Sequence, residues 1–252
     1  MKNYHTHTYR CHHAIGFERD YIEQAIDQGF TTLGFSDHAP WHYDSSFKPF
    51  MRMQETEIED YVLTLRKLRE EYQNRIDIKI GFEAEYFEDK MAWMKEMIKR
   101  YDIDYLILGN HYDGSDEDGS YYGMPPQTLE SVTRYCDQVI KGMETGLFSY
   151  VAHPDVIYYD QHDQRHLNEL ERLCLKAKEL DIPLEFNMLG YLHNRHYPSA
   201  PYLKMVRDIG NKMIVGCDAH EASAIDANKM RTVIERLKKE GFILTDEISF
   251  LR

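Results

Sequence analysis

Four histidines lie within nine residues near the amino terminus, in the stretch MKNYHTHTYRCHHAIG: His5, His7, His12 and His13. His5 and His7 are two positions apart, so in an extended strand their side chains point to the same side. Two imidazoles arranged in this way can bind one metal ion through their ring nitrogens. An isolated pair of this kind is weak support for a metal site, so further ligands must come from other parts of the chain.

Polar residues that can bind metals also follow most of the other predicted strands. The strand candidates are NYHTHT, TTLGFSDH, IDIKIGFEAEY, DYLILGNHY, SYVAHP, PLEFN and KMIVGCDAH. Six of these seven segments carry such residues at or near their carboxyl ends: His5, His7, Asp37, His38, Glu83, Glu85, His111, His153, Asp218 and His220. Buried histidines and carboxylates are costly without partners, so chance is a poor explanation for this pattern.

Segments with helical periodicity separate the predicted strands. The predicted helices cover 19–29, 55–73, 88–100, 126–146, 164–181, 199–210 and 222–240. Seven βα units in strict alternation predict a parallel sheet, and a sheet of seven such units that closes on itself is a (β/α)7 barrel. The tail GFILTDEISFL is expected to add a short strand. Because the carboxyl ends of parallel barrel strands meet at one face, the metal-binding residues should converge there.

Length and charge narrow the possible functions. The 252 residues contain no linker, low-complexity tract or internal repeat, which favours a single domain over residues 1–252. The formal net charge of −13 argues against a nucleic-acid-binding surface. It is compatible with a small phosphorylated substrate, because bound metal ions would reverse the local field. The oligomeric state cannot be predicted from these features.

The cellular compartment is predicted from three absences in the sequence. No apolar run approaches the roughly 20 residues needed to cross a membrane, and the amino terminus has no signal-peptide core. The four cysteines, Cys11, Cys136, Cys174 and Cys217, form no CxxC pair. These features predict a cytoplasmic protein without a membrane partner, whose thiols are reduced and lie in or near the core.

Taken together, the motifs resemble the PHP (polymerase and histidinol phosphatase) superfamily of metallophosphoesterases. The matching motifs are HTHT, CHHA, GFSDHAP, GFEAEY, GNHYDG, AHPD and GCDAH, which run in family order from residue 5 to residue 220. Within that superfamily, GFEAEY, AHPD and FMRM look most like the histidinol-phosphate phosphatase branch. The resemblance implies a distorted (β/α)7 TIM-like barrel. It also implies a phosphomonoesterase of histidine biosynthesis, which hydrolyses L-histidinol phosphate to L-histidinol and phosphate by attack of a metal-bridging hydroxide.

The same resemblance implies a site for three divalent metal ions. It assigns nine ligands in three groups: His5, His7, Glu83 and Asp218 for the first ion; Glu83 again, as a bridge, with His111 and His153 for the second; and His13, His38 and His220 for the third. His12 remains an alternative to His13. Imidazole and carboxylate ligands suit Zn, Mn or Fe, and no cysteine is expected at a ligand position. Related amidohydrolase barrels commonly have a lysine where this chain has the bridging Glu83.

Catalytic and substrate contacts follow from the same resemblance. The predicted catalytic residues are Glu83, Asp218, His220 and Arg195. Arg195 lies in the loop NMLGYLHNRHYPS and is the preferred phosphate ligand, because a guanidinium group binds phosphate through two parallel hydrogen bonds. Lys48 and Arg52 are second choices.

Other residues are expected to support the ligands or to contact the leaving group. Asp37 is expected to orient a ligand histidine. Glu85 is expected either to support a ligand or to contact the substrate. The hydroxyls of Tyr112 and Tyr197 are further candidates for leaving-group contacts.

Two alternatives to the histidinol phosphatase remain open. After AHPD the chain continues VIYYDQHDQ, without the basic pair usual in histidinol phosphatases, so the substrate could be another small phosphorylated molecule. A nucleotide, a sugar phosphate and phosphotyrosine are the main candidates. The second alternative is a non-catalytic PHP binding domain, which predicts missing ligands, whereas all nine are present in this sequence.

Overall fold

The computed structural model describes residues 1–125 and 127–251. Its strands are β1 Lys2–Asn3, β2 Thr32–Phe35, β3 Asp77–Ala84, β4 Tyr105–Leu108, β5 Tyr112–Asp113, β6 Ser120–Tyr121, β7 Tyr150–Val151, β8 Leu184–Asn187, β9 Lys212–Gly216 and β10 Ile243–Leu244. Eight of them form one parallel sheet in the order β1-β2-β3-β4-β7-β8-β9-β10. The remaining two, β5 and β6, form a separate antiparallel pair.

The helices alternate with the strands of the large sheet. They are α1 Glu18–Asp27, α2 Ile58–Tyr72, α3 Met91–Tyr101, α4 Leu129–Glu144, α5 Gln164–Glu179, α6 Met188–Leu192, α7 Ala200–Ile209 and α8 Ala227–Lys239. All seven predicted helices are present, although several begin a few residues later than expected. Residue 126, where the predicted helix 126–146 begins, and residue 252, where the predicted domain ends, lie outside the described residues.

A parallel β-bridge between Thr6 and Ala219 joins the two sides of the sheet into a ring. The backbone N–H of His7 donates to the carbonyl of Ala219 over 2.9 Å, and the N–H of Ala219 donates to the carbonyl of His5 over 3.2 Å. The chain that extends β1 therefore pairs with the chain that extends β9, at their carboxyl ends. Seven strands close in this way, which confirms the predicted (β/α)7 barrel.

The tail adds the expected short strand, because β10 pairs with the beginning of β9 through Lys212 and Met213. Beyond β10, the aromatic ring of Phe250 packs edge-on against Tyr4 and Tyr105. The tail thus covers apolar residues inside the ring.

Glycine in two adjacent strands makes room for a tyrosine inside the ring. A Cβ at Gly34 of β2 would lie 2.3 Å from Oη of Tyr105, and one at Gly81 of β3 would lie 2.5 Å from the same ring. The Tyr105 hydroxyl donates to the backbone carbonyls of Tyr4 and Phe35. This buried layer supports the polar residues at the carboxyl ends of the strands.

Helix α2 illustrates how the outer layer packs on the ring. Its buried residues Ile58, Tyr61, Val62, Leu65 and Leu68 recur every three or four positions, which places them on one face of the helix. The Tyr61 ring stacks on Phe82 of β3, at 5.3 Å between centroids.

Within residues 1–125 and 127–251, none of the helices has the length and apolar character that crossing a membrane requires.

Candidate metal centre

The Glu83 side chain lies in the middle of a buried cluster at the carboxyl ends of the strands. Its Oε2 is 3.6 Å from Nε2 of His5 and 3.3 Å from Nε2 of His7. Its Oε1 is 2.6 Å from Nε2 of His153 and 3.5 Å from Nε2 of His111. Oε2 also lies 3.0 Å from Nδ1 of His38. The two oxygens of one carboxylate therefore face separate sets of imidazoles, as they must if the carboxylate bridges two ions.

The ligand atoms of the first predicted group have the separations that one ion requires. Nε2 of His5 and Nε2 of His7 are 3.1 Å apart. Oδ1 of Asp218 lies 3.4 Å from the first nitrogen and 3.3 Å from the second. A tetrahedral ion at about 2.1 Å from each ligand separates the ligand atoms by about 3.4 Å. In addition, Oε2 of Glu83 is buried and has no hydrogen-bond partner among the described residues, which is expected of an oxygen that binds a cation.

The third predicted group brings His13 and His220 together, with their Nε2 atoms 3.0 Å apart. Nδ1 of His13 lies 2.7 Å from the carbonyl of Cys11, and Nδ1 of His220 lies 3.1 Å from the carbonyl of Asp218. A histidine that donates Nδ1–H to a carbonyl keeps Nε2 available for an ion. The ring of His38 stacks on that of His13 at 5.4 Å, so all nine predicted ligands lie in one cluster.

His12 and Cys11 are two further candidate ligands for this third group. His12 and His13 are both exposed, and His12 has a left-handed backbone with φ of 64°. Because it is Nε2 of His13 that lies 3.0 Å from Nε2 of His220, the structure favours His13 over His12. Cys11 is buried, and its sulfur lies within 4.8 Å of ring nitrogens of His13 and His220. Burial raises the pKa of the Cys11 thiol to about 12, which disfavours the thiolate form that binds metals. That no cysteine is a ligand therefore stays a prediction. All four cysteines are reduced and buried, as predicted.

Strand β8 carries a carboxylate that the sequence analysis missed. Oε1 of Glu185 lies 2.7 Å from Nδ1 of His5, and its Oε2 accepts the backbone N–H of His153 over 2.9 Å. The side-chain amide of Asn187 donates to Glu185 and to Oδ2 of Asp218, over 2.9 and 3.0 Å. Glu185 and Asn187 thus hold three predicted ligands in place from β8, the one strand of the seven-stranded ring that neither carries nor leads into a predicted ligand.

A buried network of ion pairs and hydrogen bonds around Glu85 supports His111. Oε1 of Glu85 lies 3.2 Å from Nδ1 of His111. The same carboxylate accepts two hydrogen bonds from Arg52, of 2.9 and 2.7 Å, and one from the indole N–H of Trp41. Nε of Arg52 donates to Asp116 over 2.8 Å. Glu85 therefore supports a ligand and is not placed to contact a substrate.

Three predictions about loop residues need correction. Arg52 is fully buried between two carboxylates, so it is unavailable to phosphate, and Lys48 is exposed outside the cavity. Asp37 does not hydrogen-bond a ligand histidine among the described residues. Its two oxygens accept the backbone N–H and the hydroxyl of Thr8, over 2.7 and 3.0 Å, and so fix the backbone immediately after His7.

The carboxylates of the cluster are held in their charged form. Burial alone would raise the pKa of Glu83, but the nearby imidazoles, led by His111 and His38, lower that pKa well below its ordinary value. Burial likewise acts to raise the pKa of Asp218, and His5 and His7 outweigh it.

The pKa values of the buried ligands His5, His7 and His38 are shifted in two different directions. Burial lowers the pKa of His7 well below its ordinary value and that of His38 to about 3, so both rings are neutral, which is the form that binds metals. Burial also acts to lower the pKa of His5, but the carboxylates around it, led by Glu185, raise that pKa well above its ordinary value. An ion that binds Nε2 of His5 must therefore displace a proton.

Two of the predicted ligands have strained backbones. His153 has a φ of 27° and Asp218 a φ of 49°, in a region that residues other than glycine rarely adopt. Such strain persists where the surrounding structure fixes it, and it is concentrated at functional sites. In both cases the strained residue points its side chain at the cluster around Glu83.

A cavity of about 460 Å³ opens above the cluster. Arg195 lines it, and one of its guanidinium nitrogens donates to the Tyr197 hydroxyl over 2.9 Å. Tyr197 is also in the cavity wall, whereas the hydroxyl of Tyr112 contacts the sulfur of Met51 and Tyr112 is not among the lining residues. Among the lining residues that the sequence analysis missed are the polar residues Tyr121 and Glu221.

Comparisons with known proteins agree with this architecture. Residues 3–188 match the PHP domain family. A Deinococcus radiodurans protein named "Probable histidinol-phosphatase" is 26% identical over 231 residues, which cover 88% of this chain and 86% of that protein. The histidinol-phosphatase of Bacillus subtilis is 24% identical over 254 residues, covering 88% of this chain and 94% of that protein.

A solved structure has the same fold. The histidinol phosphate phosphatase of Lactococcus lactis, complexed with Zn, L-histidinol and phosphate, superposes with a TM-score of 0.72 at 19% identity. The match covers 100% of this chain and 98% of that one. Since the family match spans most of the chain and the ring geometry agrees with it, this chain belongs to the PHP domain family.

Proposed function

We propose that this chain is a metal-dependent phosphomonoesterase that hydrolyses L-histidinol phosphate to L-histidinol and phosphate. The observation that carries the proposal is the Glu83 carboxylate, whose two oxygens face separate sets of imidazoles at the base of a cavity. The names of the relatives from Deinococcus radiodurans and Bacillus subtilis support the choice of substrate, as does the L-histidinol bound in the Lactococcus lactis structure.

The proposal includes three divalent ions, held by the three predicted groups of ligands. Imidazole and carboxylate ligands suit Zn, Mn or Fe, and zinc is our first choice because the Lactococcus lactis structure contains it. Ions held there would supply the nucleophilic water at neutral pH and would offset the charge of the phosphate.

The residues of the chain would perform three tasks around these ions. Glu83 and Asp218 would hold the ions at fixed separations, and His220 would anchor the third one beside the phosphate. Arg195 would bind the phosphoryl oxygens, because its exposed guanidinium group lines the cavity and is held by Tyr197. The fold would add the exclusion of bulk water from most of the centre, because it buries seven of the nine predicted ligands, all except His13 and His220.

We further propose that residues 1–252 act as one catalytic domain. The sheet that carries the ligands runs without interruption from β1 to β10, and both of these strands lie beside other strands of the same ring.

The test is a comparison of two substrates on the purified protein reconstituted with Zn. We expect kcat/KM for L-histidinol phosphate to exceed that for p-nitrophenyl phosphate by at least about 100-fold, roughly 2.7 kcal/mol of transition-state discrimination. The variant Arg195→Ala should slow both reactions, because both substrates carry the phosphate. Equal rates on the two substrates would reject the histidinol assignment and leave the metallophosphatase assignment standing. Glu83→Gln serves as the inactive control.

A further inference from the structure

The charged residues in the cavity wall fall into two sets. Glu83 and Asp218 belong to the metal centre, where their oxygens face imidazole nitrogens. Arg195 supplies the positive charge outside the centre. Among the described residues that line the cavity, Glu221 is the one carboxylate outside the metal centre. Neither the phosphate nor the ions account for a negative charge at that position.

Glu221 lies next to the third group of ligands, at an exposed position in the cavity wall. It directly follows His220 in the chain, and its Oε1 accepts a hydrogen bond of 2.7 Å from the hydroxyl of Ser223. The backbone N–H of Ile15 donates to the carbonyl of His220 over 2.9 Å, which brings a second loop to the same side of the cavity. Apolar side chains of Ile15, Leu189 and Ala224 also line the cavity. On this side the cavity wall therefore combines one hydrogen-bonded carboxylate with apolar surface.

We propose that Glu221 binds the ammonium group of the substrate and so selects phosphomonoesters of amino alcohols. This inference rests on the proposed function. In such a substrate only two carbon atoms separate the ester oxygen from the ammonium nitrogen, so the partner of the ammonium must lie close to the ions. Glu221 directly follows His220, and both residues line the cavity, so the Glu221 carboxylate meets this requirement. The apolar residues would contact the remainder of the leaving group.

The experiment compares L-histidinol phosphate with 3-(imidazol-4-yl)propyl phosphate, which lacks only the amino group. In Glu221→Gln we expect kcat/KM for L-histidinol phosphate to fall at least about tenfold, because glutamine keeps a hydrogen-bond acceptor but loses the negative charge that pairs with the ammonium group. The rate on the compound without the amino group and the metal content should not change. The inhibition constant of L-histidinol should rise by a similar factor. Glu235→Gln, at an exposed position of α8 outside the cavity, makes the same change in net charge and should leave all four quantities unaltered.

Two results would overturn the role of Glu221. An equal loss on both substrates would mean that Glu221 acts through His220 and the ions, and unchanged kinetics on both would mean that it contacts neither.

A separate arm distinguishes failure of this inference from failure of the proposed function. If the wild-type protein hydrolyses p-nitrophenyl phosphate but neither imidazole compound, the histidinol assignment fails. O-phosphoethanolamine and ethyl phosphate then test Glu221 alone. A wild-type preference for O-phosphoethanolamine that disappears in Glu221→Gln supports the inference. Equal rates of the wild-type protein on these two compounds, or a preference that persists in the variant, reject it.

Discussion

Gly109 lies so close to the Glu83 carboxylate that position 109 has no room for a side chain. A Cβ there would be 2.1 Å from Oε1 of Glu83 and 2.7 Å from its Cδ. The same relationship holds in another pair of adjacent strands, where a Cβ at Gly216 would lie 1.9 Å from Oε1 of Glu185. In each pair the carboxylate crosses the neighbouring strand at a glycine. Gly109, the first residue of the motif GNHYDG, thus makes room for Glu83. Gly216, the first residue of the motif GCDAH, makes room for Glu185.

Gly109→Ala should therefore displace Glu83 and lower both metal content and activity. Because the contact is with a buried side chain in a packed cluster, we expect the loss of activity to be at least about tenfold. Metal analysis by mass spectrometry and the phosphatase assay measure the two effects. The control is Gly29→Ala, at a turn with φ of 76° and no atom within 4 Å of an added Cβ. It should reduce stability through backbone strain and leave metal content normal; a normal Gly109→Ala enzyme would contradict the steric argument.

Glu185→Gln should weaken metal binding while the fold is retained. The substitution keeps the shape of the side chain but removes the charge beside Nδ1 of His5. Loss of such a supporting carboxylate typically costs ten- to a hundredfold in metal affinity. Competition with a chromophoric zinc chelator measures the affinity, and circular dichroism checks the fold. Glu171→Gln, an exposed carboxylate on α5, is the matched control. An unchanged affinity in Glu185→Gln would show that His5 is oriented by other contacts.

Arg52→Met should destabilise the protein by about 3–5 kcal/mol, because it leaves the buried carboxylates of Glu85 and Asp116 without their cation. Urea unfolding measures the free energy of unfolding. Metal content should fall as well, since Glu85 then loses its fixed position beside His111. Lys48→Met removes a positive charge from the same loop at an exposed position and should change neither quantity. If Arg52→Met lost activity without losing stability, the guanidinium group would contact the substrate after all.

His220→Ala should remove the third ion and leave the first two bound. His220 is assigned to the third ion alone, although it contacts two predicted ligands of the first: its Nδ1 lies 3.1 Å from the carbonyl and 3.4 Å from Oδ1 of Asp218, and its ring stacks on that of His7 at 4.3 Å between centroids. We expect two ions per chain by mass spectrometry instead of three, and a raised KM. His12→Asn is the control, because asparagine tolerates the left-handed backbone at this exposed position. Loss of every ion in His220→Ala would mean that the three ions bind as one interdependent cluster.

The ring and the cluster of ligands could be predicted from the sequence because both depend on local patterns. A spacing of two residues places His5 and His7 on one side of a strand, and the parallel arrangement brings strand ends together. Glu185 and Asn187 are also two positions apart, so they too point to one side of a strand. This spacing could have indicated that Glu185 supports the ligands. Glu185 was missed because no metal ligand was expected on β8.

The buried network around Arg52 could not be predicted. An arginine in a loop has no periodicity that distinguishes an exposed from a buried position, and its partner Asp116 lies 64 positions away. The antiparallel pair Tyr112–Asp113 and Ser120–Tyr121, which brings Tyr121 to the cavity, was also missed. Strands of two residues are too short to show alternation.

The bridge between Thr6 and Ala219 links the stability of the barrel to its ions. His5 and His7 flank Thr6 in the first strand of the bridge, and Asp218 directly precedes Ala219 in the other. The side chains of these three residues lie close together. An ion bound by these three residues cross-links the first strand of the ring to the last. A ligand stabilises the state of the protein to which it binds more tightly. An ion that binds these residues only when the ring is closed therefore stabilises the closed ring by its binding free energy. The catalytic ion would then serve as a structural one, and a chain that loses it would lose the contact between the beginning and the end of the barrel.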